Sequence, residues 1–213
     1  SYGRLLRFTM PSIVMMIFTS IYGMVDGYFV SNFVGKTAFA SVNLIIPYLQ
    51  ILGGVGAMLG VGGSALVSKT LGEGKEEKAA KYFTMMMLLM LGTSLFFTVF
   101  GIAVLRPVAR LFGATDAMMG DVMRYGGICL LFNIALQGQY TFQSYLVVAE
   151  RPKLALGVIV AAGCTNMVLD FLFMAVFQWG TVGAALATGL SQCVASVLPF
   201  AWFVSKKNTS SLR

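Results

Sequence analysis

The sequence contains no histidine. That removes the side chain that most often carries protons near neutral pH and the commonest metal ligand. Proton chemistry in this chain falls to carboxylates, and carboxylates are scarce: eight Asp and Glu in 213 residues. Charge of either sign makes up 11% of the chain, against roughly 25% in an ordinary soluble domain. The three cysteines, Cys129, Cys164 and Cys193, lie inside apolar runs with no C-x-x-C pair. They form neither a disulfide framework nor a zinc site and read as small buried hydrophobes. Without histidine, no nucleophile–base pair or metal cluster can be assembled, so enzymatic catalysis is not expected.

What is present in quantity is apolar surface: 58% hydrophobic residues and a mean hydropathy of +0.83. A soluble fold of this size would have to expose large apolar patches. The composition therefore points to an all-α integral membrane protein. Six apolar stretches of spanning length can be marked, near Phe8–Val30, Asn43–Val67, Tyr82–Val104, Asp121–Val148, Leu154–Phe177 and Val182–Val204. The connectors are short, so one six-helix lobe covers 1–213. No small-residue cleavage pattern follows the first run, which reads as a mature span.

The net charge of +7 does not form a nucleic-acid patch, because the basic residues sit in short gaps between apolar runs. They anchor helix ends at the bilayer instead. One side of the membrane collects eleven of them, among them Arg4, Arg7, Lys69, Lys75, Lys78, Lys81, Arg151 and Lys153; the other has four, Lys36, Arg106, Arg110 and Arg124. The positive-inside rule then places both termini in the cytoplasm of a multi-pass plasma (inner) membrane protein. Trp179 and Trp202 flank the last span as interfacial anchors.

The second span carries a stripe of small residues, Gly53, Gly56, Ala57, Gly60, Gly63 and Ser64, suited to close helix approach in lipid. The segment Gly63 to Thr70 nears a phosphate-binding loop, but Ser68 stands where that motif needs glycine and no strand precedes it. Helix packing is the better reading.

Most acids sit in connectors or at span ends; Asp26 and Asp170 do not. A carboxylate within lipid is costly, so it is either a structural hydrogen-bonding group or a functional one, and function is the default. At about 1.5 Å per residue, Asp26 lies about 27 Å, and Asp170 about 24 Å, from the cytoplasmic starts of parallel spans. Asn166 shares a face with Asp170, one turn before it. Thr188 lies about 9 Å below the outer start of the last span, near the same level. Two carboxylates, an amide and a hydroxyl can converge there, offering oxygen ligands for Na⁺ or a desolvated carboxylate for H⁺. The fourth span adds Asn133, Gln137, Tyr140, Thr141 and Ser144, with Tyr125 higher up; such residues either glue helices or line a wet cavity. Pro11 lies one turn inside the first span and either bends that helix or is tolerated near its end.

These residues resemble a family. Pro11 followed by Tyr22-Gly23-Met24-Val25-Asp26, then Gly35-x-x-Ala38-x-Ala40, looks like the opening of the multidrug and toxic compound extrusion (MATE) transporters. Gly62-Gly63-Ser64-Ala65 leading into Leu71-Gly72-Glu73-Gly74-Lys75, the Glu150-Arg151-Pro152 turn and the Asn166-x-x-x-Asp170 pair fit as well. The resemblance implies one lobe of a twelve-helix protein that exchanges H⁺ or Na⁺ for amphipathic, often cationic, small molecules by alternating access, with no resident cofactor beyond the coupling ion. It carries a cation site onto Asp26, Asn166, Asp170 and Thr188, with Tyr125 as a further match. It also implies a second six-helix lobe, supplied by a missing C-terminal half or by a homodimer; the lack of an initial methionine reads as an excised segment. A lipid-linked oligosaccharide flippase of the same superfamily is the rival, although anionic head groups call for basic residues deep in the spans and none is seen. A non-transporting lobe that assembles with a partner is the other.

Overall fold

The computed structural model describes residues 2–205, with side chains described at 9, 10 and 13–205. Regular structure among them is entirely helical, in the order α1 (Tyr2–Phe29), a π-helical turn π1 (Val30–Val34), α2 (Lys36–Gly72), α3 (Glu76–Leu111), α4 (Asp116–Leu131), α5 (Asn133–Val148), α6 (Pro152–Asp170), a second π-helical turn π2 (Phe171–Val176) and α7 (Gly180–Val204). Five stretches are long and apolar enough to cross a bilayer: Ile13–Val34, Lys36–Gly72, Glu76–Leu111, Pro152–Val176 and Gly180–Val204. This is a multi-pass membrane bundle. Large side chains such as Met16, Leu88, Leu95 and Val99 point outward, where the solvent is hydrocarbon.

The predicted fourth span is not one helix. It is built from α4 and α5, of 16 residues each, joined through Phe132. Sixteen residues fall short of the roughly 20 a single spanning helix needs. At the break, the Phe132 N–H is shared between the carbonyls of Ile128 (3.3 Å) and Cys129 (3.1 Å), and the Leu130 carbonyl accepts a hydrogen bond from Thr98 Oγ1 of α3 (3.1 Å). The Phe132 ring occupies the space where residue 189 of α7 would carry a Cβ; only glycine leaves room for it. Helices α2 and α3 also run past the marked spans, α2 starting at Lys36 rather than Asn43 and α3 at Glu76 rather than Tyr82. Polar ends can continue a helix into the interface, and Glu76 and Glu77 in the first turn of α3 complement its dipole.

The small-residue stripe of α2 packs on α5. Added Cβ atoms at Gly53, Gly56 and Gly60 would meet Leu136, the Gln137 backbone and Thr141 respectively. This close approach allows two interhelical hydrogen bonds, Thr141 Oγ1 to the Gly56 carbonyl (2.9 Å) and Gln137 Nε2 to the Leu52 carbonyl (3.2 Å). The near-match to a phosphate loop lies wholly inside α2. Among the described residues the apolar core falls into three clusters, two of them large. One large cluster, around Ile45, Leu105, Val122 and Leu130, is at one end of the bundle; the other, around Val67, Phe83, Tyr145 and Phe203, is at the opposite end. Along α4 and α5 the buried polar residues Asn133, Gln137 and Thr141 fall between Leu130 and Phe142, that is, between the two clusters.

Helix α1 is held mainly by α6. Gly163 of α6 gives the Phe18 and Tyr22 rings their seat, while Met15 is its one buried apolar side chain among the described residues. Of the cysteines, Cys129 is buried, Cys193 is half-buried and Cys164 is exposed on the bundle surface. The reading of all three as buried is corrected for Cys164: position 164 lies next to the interface glycine but points away from it. The helix-bend candidate Pro11 lies within α1 with its side chain outside the described residues, as are the side chains of Arg4 and Arg7 and all of 206–213.

Candidate functional site

A cavity of about 330 Å³ opens within the lobe, lined by every helix except α3. Helix α1 presents one face to it, Thr19, Tyr22 and Asp26 at helical spacing. From α4 come Tyr125 and Cys129, from α5 Asn133 and Tyr140, from α6 Asn166, and from α7 Thr188 and Gln192 one turn apart. Gln50 of α2 completes its polar wall. Among the described residues, the lining contains one carboxylate, several neutral amides and hydroxyls, and no lysine or arginine.

Asp170 is 0% exposed and stands behind this wall rather than in it. Its carboxyl group neighbours that of Asp26, so α1 and α6 meet acid to acid. Asn166, 2% exposed, lies one turn before Asp170 on α6. On the other side, the Tyr125 hydroxyl is within reach of Thr188 and of the Cys129 thiol. Asp26, Tyr125, Asn166 and Thr188 thus line one pocket, with Asp170 behind its wall.

Buried polar atoms are nearly always paired. Among the described residues, five buried side-chain N or O atoms lack a hydrogen-bond partner: Asp26 Oδ1, Asn166 Oδ1, both Asp170 oxygens and the Tyr145 hydroxyl. Four of the five belong to this cluster, and all four are acceptor oxygens. A buried group of acceptors with no donor is electrostatically incomplete; a small cation bound by oxygens, or protons on the acids, completes it.

Of the predicted cavity residues, Asn133 and Tyr140 line the pocket, and Asn133 Nδ2 also donates to the Ser94 carbonyl of α3 (3.3 Å). Gln137 is corrected: it is fully buried against α2 and α3, donating to Leu52 and accepting from Thr93 Oγ1 (3.2 Å). Its helical phase puts it on the α2 side of α5, together with Thr141, and there it joins helices. The polar stripe therefore divides, with Tyr140 facing the cavity and Gln137 and Thr141 gluing helices. Thr19, Tyr22, Gln50, Gln139, Gln192 and Cys129 line the site without having been singled out. Spacing from Asp26 and from Thr188 marks Tyr22 and Gln192; nothing in the sequence marks Gln50, which depends on where α2 packs.

A model of the MatE family matches residues 11–172. The chain is 24% identical over 207 residues to multidrug export protein MepA of Staphylococcus saprophyticus, an alignment covering 96% of this chain and 45% of that protein. It superposes with TM-score 0.89 and 25% identity on an outward-facing multidrug resistance MATE family transporter of the MOP superfamily, over 96% of this chain and 45% of that one. The same scores and coverage relate it to a MOP superfamily transporter from Pyrococcus furiosus, described as having a binding pocket of reverse polarity. The chain spans about half the length of these relatives. With the matched model extending from the first helix to the start of π2, the chain belongs to the MatE family.

Proposed function

We propose that this chain is one six-span lobe of a cation-coupled multidrug efflux antiporter, with Asp26, Asn166 and Asp170 as the coupling site and Thr188 and Tyr125 as its second wall. The observation that carries this reading is the set of four buried acceptor oxygens without donors. H⁺ or Na⁺ entering from outside neutralises the acid pair. That changes the balance between two packings of α1 on α6, and the cavity exchanges an amphipathic cation for the coupling ion. A pocket with one lining carboxylate and no basic side chain favours cationic over anionic cargo. The names of the relatives, multidrug export and multidrug resistance proteins, support the same substrate class.

A second lobe, supplied by further chain or by a second copy, stands beside this one in the membrane and faces it across the shared site, and both lobes rock about that site. Both termini of this lobe lie on the cytoplasmic side of the plasma membrane, where its basic residues concentrate. The test is Asp26→Asn and Asp170→Asn in the complete transporter. Each is expected to abolish ion-driven efflux with expression intact, and unchanged drug resistance in cells carrying either variant would sink the assignment.

A further inference from the structure

Each of the two acid-bearing helices leaves the α-helical register just outward of its acid. π1 starts four residues after Asp26, and π2 starts at the residue after Asp170. The wide hydrogen bonds are explicit: Gly35 N–H to the Val30 carbonyl (3.1 Å) and Phe177 N–H to the Leu172 carbonyl (2.8 Å). A π turn amounts to one extra residue accommodated in an α-helix, and such turns concentrate at functional sites.

The outer end of π2 is pinned. The Trp179 N–H donates to the Phe173 carbonyl (2.8 Å), the two rings stack at 4.9 Å, and Gln178 and Gly180 turn the chain with φ of 55° and 60°. Helix α7 lies directly against this turn. A Cβ on Gly183 would sit 3.0 Å from both Phe173 Cβ and Phe173 O, so glycine at 183 is what lets π2 bulge toward α7. On the inner side, the side-chain oxygens of Asn166 and Asp170 accept no hydrogen bond.

We infer that π2 is a register switch for the acid pair: its extra residue migrates inward past Asp170, turning that carboxylate away from Asp26, and returns when a cation is bound. One residue of register is about 100° of rotation and 1.5 Å of rise. The segment around Asp170 turns while the pinned outer end and the rest of α6 stay in place. This inference rests on the reading of Asp26 and Asp170 as a cation site. The titratable groups around Asp170 are Asp26 on α1 and, around Asp26, Tyr22 on α1 and Tyr125 and Cys129 on α4. With a cation between them the facing arrangement is favoured; without one, two facing carboxylates repel and the migrated register is relieved of that repulsion.

The experiment is hydrogen–deuterium exchange of the peptide covering 166–177 in the complete protein in lipid nanodiscs. It compares no Na⁺ with saturating Na⁺, and two pH values after correction for intrinsic rates. Binding is followed in parallel by retention of radioactive Na⁺ and by proton release to an indicator dye. Exchange of these amides is expected to slow about tenfold on cation binding. Deleting Leu172 removes the extra residue and leaves a continuous α-helix; cation binding should persist while the exchange response disappears. Gly183→Ala, which needs no deletion to fold, should cut the response at least about threefold through the crowding at Phe173. A full response in either folded variant overturns the switch, as does wild-type cation binding with no change in exchange; both results leave the cation site standing. Absence of Na⁺ and H⁺ binding to the wild type removes the site and the switch together.

Discussion

Asp170 shows how a single side chain can be marked by chemistry while its surroundings wait for the fold. It is buried behind the cavity wall with both oxygens unpaired, while Asp26 touches the cavity. In the transporter, Asp26→Asn should therefore impair cargo exchange as well as ion coupling, whereas Asp170→Asn should spare drug binding and remove its ion dependence. Equilibrium binding of a fluorescent organic cation, with and without Na⁺ or a pH step, separates the two. Thr141 is the opposite kind of polar residue. Its hydroxyl is already satisfied by the Gly56 carbonyl at 2.9 Å, so Thr141→Val should cost only about 0.6 kcal/mol, the average for hydrogen bonds between helices in lipid. Thermal unfolding in detergent would show this as a small downward shift with transport unchanged.

At the scale of elements, α2 and α5 are locked while α1 is not. The contact at Gly56 leaves no room for a methyl group against the Gln137 backbone. Gly56→Ala should separate the helices and destabilise the lobe by about 1–3 kcal/mol, the usual cost of overpacking, readable as a lowered unfolding midpoint. The break at Phe132 depends on Gly189 in the same way, and Gly189→Ala should expel the ring and disturb the wall that carries Cys129 and Asn133. Ligand binding should fall even though residue 189 does not line the cavity. Helix α1, seated on α6 through Gly163 with most of its described surface outside the core, is the element whose packing a bound cation can shift at least expense.

On the scale of the whole molecule, the lobe has a cavity of mixed polar and apolar lining and spans about half the length of its relatives. Two lobes around a shared site are what alternating access requires. Expressed without a complementary lobe and reconstituted as a monomer, the chain is expected to retain cation binding at Asp26 and Asp170 but to show no drug-stimulated ion flux. Vesicle flux assays with and without a second lobe check this; coupled flux from verified monomers would contradict it.

The membrane class and the two acids were legible in the residues, because an apolar run of spanning length and a carboxylate inside it each have few physical explanations. The glycine stripe of α2 was legible for the same reason, since close helix approach in lipid needs small side chains. Tertiary structure alone decided which neighbours those residues meet. Helical spacing gives a residue's face but not what lies opposite, so Gln137 and Tyr140, three residues apart on α5, went to different surroundings. The division of the fourth span at Phe132 was likewise unreadable, because it depends on contacts with Thr98 and Gly189, far away in sequence, and the π turn after Asp170 shows itself only where it packs on Gly183 of the next helix. Composition determined the solvent and the costly charges; packing determined which oxygens face one another and which were left without a donor.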